Sequence, residues 1–113
     1  MTVAPMPYTH LAVLSDDTGV FEHALFDRPR PEHGYCVDDV ARALLVAVRE
    51  PEQTPALAAL TETALRFLES SLDAGGRAHN RRSVDGEWLD APGVGDWWGR
   101  AVWALGSASA RAA

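Results

Sequence analysis

The chain has 113 residues, enough for one domain with a modest core, and 47% of them are hydrophobic. Sixteen acidic and ten basic residues give a net charge of −6, which disfavours nucleic acid and anionic membrane surfaces as partners. The single cysteine, Cys36, excludes an internal disulfide, and no apolar run approaches the roughly 18 residues that cross a membrane. Because no signal peptide is visible, we expect a cytoplasmic protein.

The first third of the chain is rich in turn residues. Residues 1–7 carry two prolines and predict a loose lead, and residues 8–14 predict a short helix. The sequence Asp-Asp-Thr-Gly ending at Gly19 terminates that helix. Residues 20–26 predict a short strand or an extended loop, and two prolines make residues 27–32 irregular.

Three longer helices follow. Residues 37–49 are so apolar that we expect a helix buried on every side, with Pro51 stopping the chain beyond it. Thr54 is the expected N-cap of the next helix, with proline at its first position. An apolar stripe at helical spacing continues to a stop at residues 73–76. A long polar connection, 77–95, leads to the last helix, 96–109.

Parts of the chain repeat. The frame Asp-x-x-x-Arg-Ala that begins at Asp38 recurs at Asp96, and we call the separation of these two aspartates the repeat spacing. Residues 71–79 match residues 15–23 at four of nine positions, at nearly the same spacing. We infer a repeated unit: an outer amphipathic helix, a glycine turn, an extended polar stretch and a buried inner helix that begins with aspartate.

In a ring of such helix pairs, the first turns of the inner helices surround one end of a central cavity. Carboxylates and aromatic rings together suit carbohydrate, because acids bind hydroxyl groups and rings pack on the apolar faces of sugars. The catalytic candidates at that end are Asp38, Asp39 and Asp96. The substrate-binding candidates are His33, Tyr35, His79, Trp88, Arg42 and Arg100.

The sequence of residues 33–44, His-Gly-Tyr-Cys-Val-Asp-Asp-Val-Ala-Arg-Ala-Leu, resembles a motif of bacterial proteins related to glycosyltransferases. Residues 88–93 and 99–106 are similar to a second motif of that family. The resemblance spans about residues 10–106 and implies an (α/α) toroid of the six-hairpin kind that acts on or holds glycans. The implied fold is all-α: an incomplete toroid of about four helices, forming one partial domain over 1–113.

The chain departs from the family pattern beside Asp96. The family has Ser-Glu-Asp-Ser-His-Gly-Arg where this chain has Val-Gly-Asp-Trp-Trp-Gly-Arg, so a carboxylate and a histidine are missing. The asparagine expected after Asp39 is Val40. We therefore expect weak activity, or none, from this chain alone.

The candidate residues also have structural explanations. Arg42 and Arg100 each follow an aspartate by four residues, the spacing of an ion pair along one helix. Both histidines would serve as loop hydrogen-bonding groups, Trp98 and Trp103 as core residues, while Trp88 is the expected sugar-stacking ring. We expect no metal or cofactor, because no helix carries paired metal ligands. Acidic neighbours make Cys36 an unsuitable nucleophile.

Two functions remain open on the sequence. The first is a truncated glycan-active domain that binds carbohydrate through the aspartates of its inner helices. The alternative is a non-catalytic helical scaffold or interaction module. In either case, a second copy or a partner chain would cover inner helices that the chain leaves exposed.

Overall fold

The computed structural model describes residues 8–22, 24–25 and 28–112. That part contains four α-helices, namely α1 (Thr9–Val13), α2 (Val37–Arg49), α3 (Pro55–Ser71) and α4 (Asp96–Ala112). It also contains four two-residue strands, namely β1 (Ala24–Leu25), β2 (Arg28–Pro29), β3 (Tyr35–Cys36) and β4 (Arg81–Arg82). β1 pairs with β2 and β3 with β4, both antiparallel, and a 3₁₀ turn, Pro31–His33, precedes β3. The predicted loose lead, 1–7, lies outside the described residues.

The prediction of an all-α fold is wrong, because the chain is mixed α/β. The strands lie in the polar connections before α2 and α4, which contain two glycines with positive φ, Gly34 and Gly86. Trp88 then bridges back to Arg82, and β4 pairs with the strand that leads into α2. Backbone groups near the core need hydrogen-bond partners, and these short ladders supply them. We therefore do not retain the all-α, incomplete-toroid description of the fold.

Local signals set the limits of α2 and α3. α2 covers Val37–Arg49 as predicted and ends before Pro51. The N-cap of α3 is Thr54, whose Oγ1 accepts a hydrogen bond from the Leu57 N–H at 3.2 Å. α4 continues to Ala112, three residues beyond its predicted end.

α2 is the centre of the packing. It lies along both α3 and α4, whereas α3 and α4 contact each other little. The fully buried side chains of the core include Val40 and Leu44 of α2 and Phe67 and Leu68 of α3. The expectation that α2 is buried on every side is wrong, because Val46 is 43% exposed. One stripe of α2 is therefore open to solvent.

The same tight turn follows both outer helices. After α1, Ser15 pairs with Val20, and the intervening Asp16 Oδ1 accepts hydrogen bonds from two backbone N–H groups at 2.8 and 3.0 Å. After α3, Leu72 pairs with Ala78, and Asp73 Oδ1 likewise accepts from two backbone N–H groups, both at 2.9 Å. The structural equivalent of Asp73 is therefore Asp16, whereas the sequence match pairs Asp73 with Asp17, one residue later.

The two units differ in length within these turns. The Phe21 N–H donates to Leu14 O, and the His79 N–H donates to Ser71 O, closing each turn on its helix. Between acceptor and donor, the second turn is one residue longer than the first. In each unit the chain then returns and forms a backbone bridge, between Phe21 and Tyr35 in the first unit and between Ala78 and Gly93 in the second. Tyr35 and Gly93 are again one repeat spacing apart. The described chain thus contains two structurally equivalent units that end in α2 and α4.

Candidate functional site

The first turns of α2 and α4 lie side by side and are joined by charge. Arg100 of α4 donates to Asp38 Oδ1 at 2.6 Å, and Arg42 lies 3.4 Å from the other carboxylate oxygen of Asp38. Arg42 is also 3.8 Å from Asp39 Oδ1. The predicted pairing of Arg42 with Asp38 is confirmed. The predicted pairing of Arg100 with Asp96 along one helix is wrong, because the packing brings Asp38 of the neighbouring helix to Arg100.

Asp96 is exposed at the mouth of an open cleft of about 500 Å³. The cleft is also lined by Trp98, Arg100 and Trp103. The indole N–H of Trp98 donates to Gly76 O at 2.8 Å, which fixes that ring at one wall. Trp103 is 53% exposed, so its assignment to the core is wrong. This cleft brings together one carboxylate, one guanidinium group and two indole rings.

Tyr35 lies in the core, with 2% of its surface exposed. Its ring stacks on Phe21 at 5.1 Å and meets Phe67 edge-on at 5.7 Å. The hydroxyl group donates to Asp16 Oδ2. Burial, reinforced by this hydrogen bond to a carboxylate, raises the pKa of Tyr35 to about 12. Its position favours a structural role over contact with a sugar.

His79 and Trp88 pack against each other. Their rings stack at 5.2 Å, and His79 Nδ1 is 2.6 Å from the carbonyl oxygen of Asp90. Trp88 also meets Phe67 edge-on at 5.5 Å, and the Arg82 guanidinium lies 5.5 Å from its ring centroid. Three neighbours therefore surround the ring predicted to stack on sugar. His33 is an exposed residue of the 3₁₀ turn.

Cys36 is buried immediately before α2, and its thiol donates to Asn80 Oδ1 at 3.4 Å. Burial is the main reason why the pKa of Cys36 is raised, and the backbone N–H groups of Asp38 and Asp39 only partly offset it. A protonated, buried thiol is a poor nucleophile, which agrees with the sequence interpretation. Among the residues that the structure describes, no three His, Cys, Asp or Glu side chains group in a way that could hold a metal ion.

The sequence interpretation placed turns at residues 16–19 and 73–76 but gave no role to the aspartate side chains that organise the connections. Asp16 and Asp73 hold the two tight turns. Asp90 accepts from the backbone N–H groups of Asn80 and Arg81 at 2.7 and 2.9 Å. Aspartate two or three residues before glycine is the available signal for such turns at residues 16 and 73. The role of Asp90 depends on contacts with a distant part of the connection and has no local signal.

A second, larger cavity of about 660 Å³ lies between α1 and α3. Its surface is mainly apolar, with side chains such as Leu11, Leu57 and Leu60, although Asp16 and Asp17 also line it, and it contains none of the predicted site residues. No arginine is among the described residues that line it. The cleft at Asp96 is therefore the better candidate for a polar ligand.

No family model, curated protein or solved structure matches the chain. Among the helices that the structure describes, none combines the length and the apolar character needed to cross a bilayer.

Proposed function

We propose that this chain binds carbohydrate in the cleft at the start of α4. The supporting observation is the grouping of Asp96, Arg100 and the two indoles of Trp98 and Trp103 around one open space. A carboxylate accepts hydrogen bonds from sugar hydroxyl groups, and a guanidinium group donates hydrogen bonds to them. Indole faces pack on the C–H surface of a sugar. The resemblance of residues 33–44 to glycosyltransferase-related proteins points to the same class of ligand.

The role proposed here is binding without catalysis. Asp38 contacts the guanidinium groups of both Arg42 and Arg100, so we assign it to positioning those arginines. Glycosidic chemistry requires two carboxyl groups that flank the bond, one of them protonated. Asp96 is the one predicted catalytic aspartate that lines the cleft.

Titration of tryptophan fluorescence with a panel of neutral mono- and oligosaccharides tests the proposal. We expect a saturable change that is lost in Asp96→Asn and in Trp103→Ala. The control is Trp88→Phe, which changes an indole outside the cleft and should keep the response. A chain that no sugar affects, or a response that survives Asp96→Asn, would contradict carbohydrate binding in this cleft.

A second candidate function is a helical interaction module without sugar chemistry. It is favoured by the apolar exposure of α4, where Val102 is 47% and Trp103 is 53% exposed. The Arg49 guanidinium lies 5.0 Å from the Trp103 ring centroid and still leaves that ring half exposed. A second copy of this chain is the partner that the internal repeat fits.

A further inference from the structure

α4 exposes a face that its equivalent in the first unit buries. The exposed residues are Asp96, Gly99, Trp103 and Gly106, which we call the open face of α4. The residues one repeat spacing earlier, on α2, are Asp38, Ala41, Leu45 and Val48. Their exposures show the contrast: Ala41, Leu45 and Val48 are at most 8% exposed, and Asp38 holds Arg100. α2 therefore packs against its neighbours with the positions that α4 leaves exposed.

The glycines of α4 support this comparison. A Cβ atom added at Gly99 or at Gly106 would meet nothing within 4 Å among the described atoms. Glycine weakens the interior of a helix, so its presence needs a reason other than packing within this chain. The close approach of another helix is such a reason, because the distance between packed helix axes depends on the side chains at their contact.

α2 carries the complementary surface. α4 contacts α2 through Arg100 and through Ala101 and Ala104, which are fully buried. The residues one repeat spacing before Arg100 and Ala104 are Arg42 and Val46, which we call the open face of α2. The Arg42 side chain is 57% exposed, and Val46 is 43% exposed. The chain thus exposes, on α2 and on α4, counterparts of part of the two sides of its internal α2–α4 contact, whereas Ala43, one repeat spacing before Ala101, is buried.

We propose that a second copy of this chain docks head to tail, placing its open face of α2 on the open face of α4. In that contact, Arg42 of one copy meets Asp96 of the other, as Arg100 meets Asp38 inside the chain. Within the described residues the Asp96 carboxylate has no ion pair of its own, so an incoming guanidinium group completes the equivalent bridge. Val46 covers the apolar part of the open face.

This contact is heterologous, because the two copies use different surfaces. Each docked copy still has one free face, so assembly does not stop at two copies. The inference does not rest on carbohydrate binding. Since Asp96 and Trp103 belong to both the cleft and the open face of α4, a copy docked there competes with a ligand in the cleft.

Sedimentation velocity over a micromolar to millimolar concentration series tests the proposal. We expect the weight-average mass to rise with concentration past that of two copies, each of 12.2 kDa. Trp103→Glu should weaken association more than about tenfold, because it places a charge at the centre of the contact. Val84→Glu is the control, since Val84 is similarly exposed, at 47%, in a turn outside both open faces.

A charge exchange tests whether Arg42 of one copy meets Asp96 of the other. Asp96→Arg alone and Arg42→Glu alone each bring like charges together and should each weaken association about tenfold. An equimolar mixture of the two variants restores opposite charges and should recover wild-type association. Circular dichroism checks that each variant folds. If Arg42→Glu does not fold, Val46→Glu is the second variant for the open face of α2, with the same expected loss.

Gly106→Ala adds a test that separates association from folding. It should raise the thermal midpoint of the monomer, because alanine favours the helix, and should also weaken association. The proposal is overturned by a chain that stays monomeric at millimolar concentration or stops at a dimer. It is equally overturned if the mixture of charge variants fails to associate while the wild type does, or if Trp103→Glu associates as well as Val84→Glu.

Discussion

The ion pair between Asp38 and Arg100 should couple the stabilities of α2 and α4. Two unit charges whose centres lie about 4 Å apart attract by about 4 kcal/mol at an effective dielectric constant of about 20. The side chains are 23% and 35% exposed, so solvent screens part of that attraction and desolvation offsets more of it. We therefore expect a net coupling of about 1 kcal/mol.

A double-mutant cycle measures this coupling. Urea unfolding of the wild type, Asp38→Asn, Arg100→Gln and the double variant gives the four free energies of unfolding that the cycle needs. The matched control is the pair Glu62–Arg66 on α3, at 3.0 Å but with side chains 74% and 58% exposed. Its coupling should be at most about 0.5 kcal/mol. Equal coupling in the two cycles would refute the bridging role of Asp38.

Three further predictions concern the turns and the core of the first unit. Tyr35 has an ordinary pKa of 10.0 when unfolded and about 12 when folded, so the folded state holds its proton more tightly. Stability should therefore be intact below pH 10 and should fall by about 2–3 kcal/mol as the pH rises to 12, and Tyr35→Phe should remove that fall in alkaline unfolding curves. Gly34→Ala should lower the free energy of unfolding, measured in urea, by more than about 3 kcal/mol, because its Cβ would lie 2.3 Å from a carbonyl oxygen. Gly76→Ala is also at positive φ but has open space around it, so it should lower that free energy by only about 1–2 kcal/mol. Equal losses in the two variants would contradict the close contact at Gly34. Asp16→Ala should lower the free energy of unfolding by about 2 kcal/mol through its lost hydrogen bonds, while Asp17→Ala should change it by less than about 0.5 kcal/mol, and the reverse order would show that the turn is wrongly assigned.

The helices were predictable because their signals are local. Pro51 and the Thr54–Pro55 pair mark the end of α2 and the start of α3 within a few residues. The repeat of the aspartate-led frame also predicts that α2 and α4 are equivalent. These features depend on backbone geometry and on neighbours close in sequence, which one sequence can reveal.

The strands and the partners of the charged residues were not predictable in this way. β3 and β4 are very short and are separated in the sequence by both α2 and α3. Their pairing therefore cannot be predicted from hydrophobic periodicity or from turn residues. Arg100 has aspartates available on its own helix and on α2, and only the packing of the helices decides between them. Trp103 illustrates the same limit, because an apolar residue at helical spacing does not tell which side of the helix is covered.

The central claim is that α2 and α4 are parallel neighbours whose acidic first turns lie together. The direct test is a pair of spin-label distances in a Cys36→Ala chain, one between residues 42 and 99 and one between residues 49 and 109, all exposed positions. Packed helix axes lie about 8–10 Å apart, so parallel packing predicts that both pairs give similar distances below about 20 Å. Antiparallel packing would place residues 49 and 109 roughly one helix length apart, about 20 Å along the axis, in addition to the lateral separation, whereas residue 42, near the middle of α2, would change its distance to residue 99 much less. A long distance between residues 49 and 109 would therefore contradict the account.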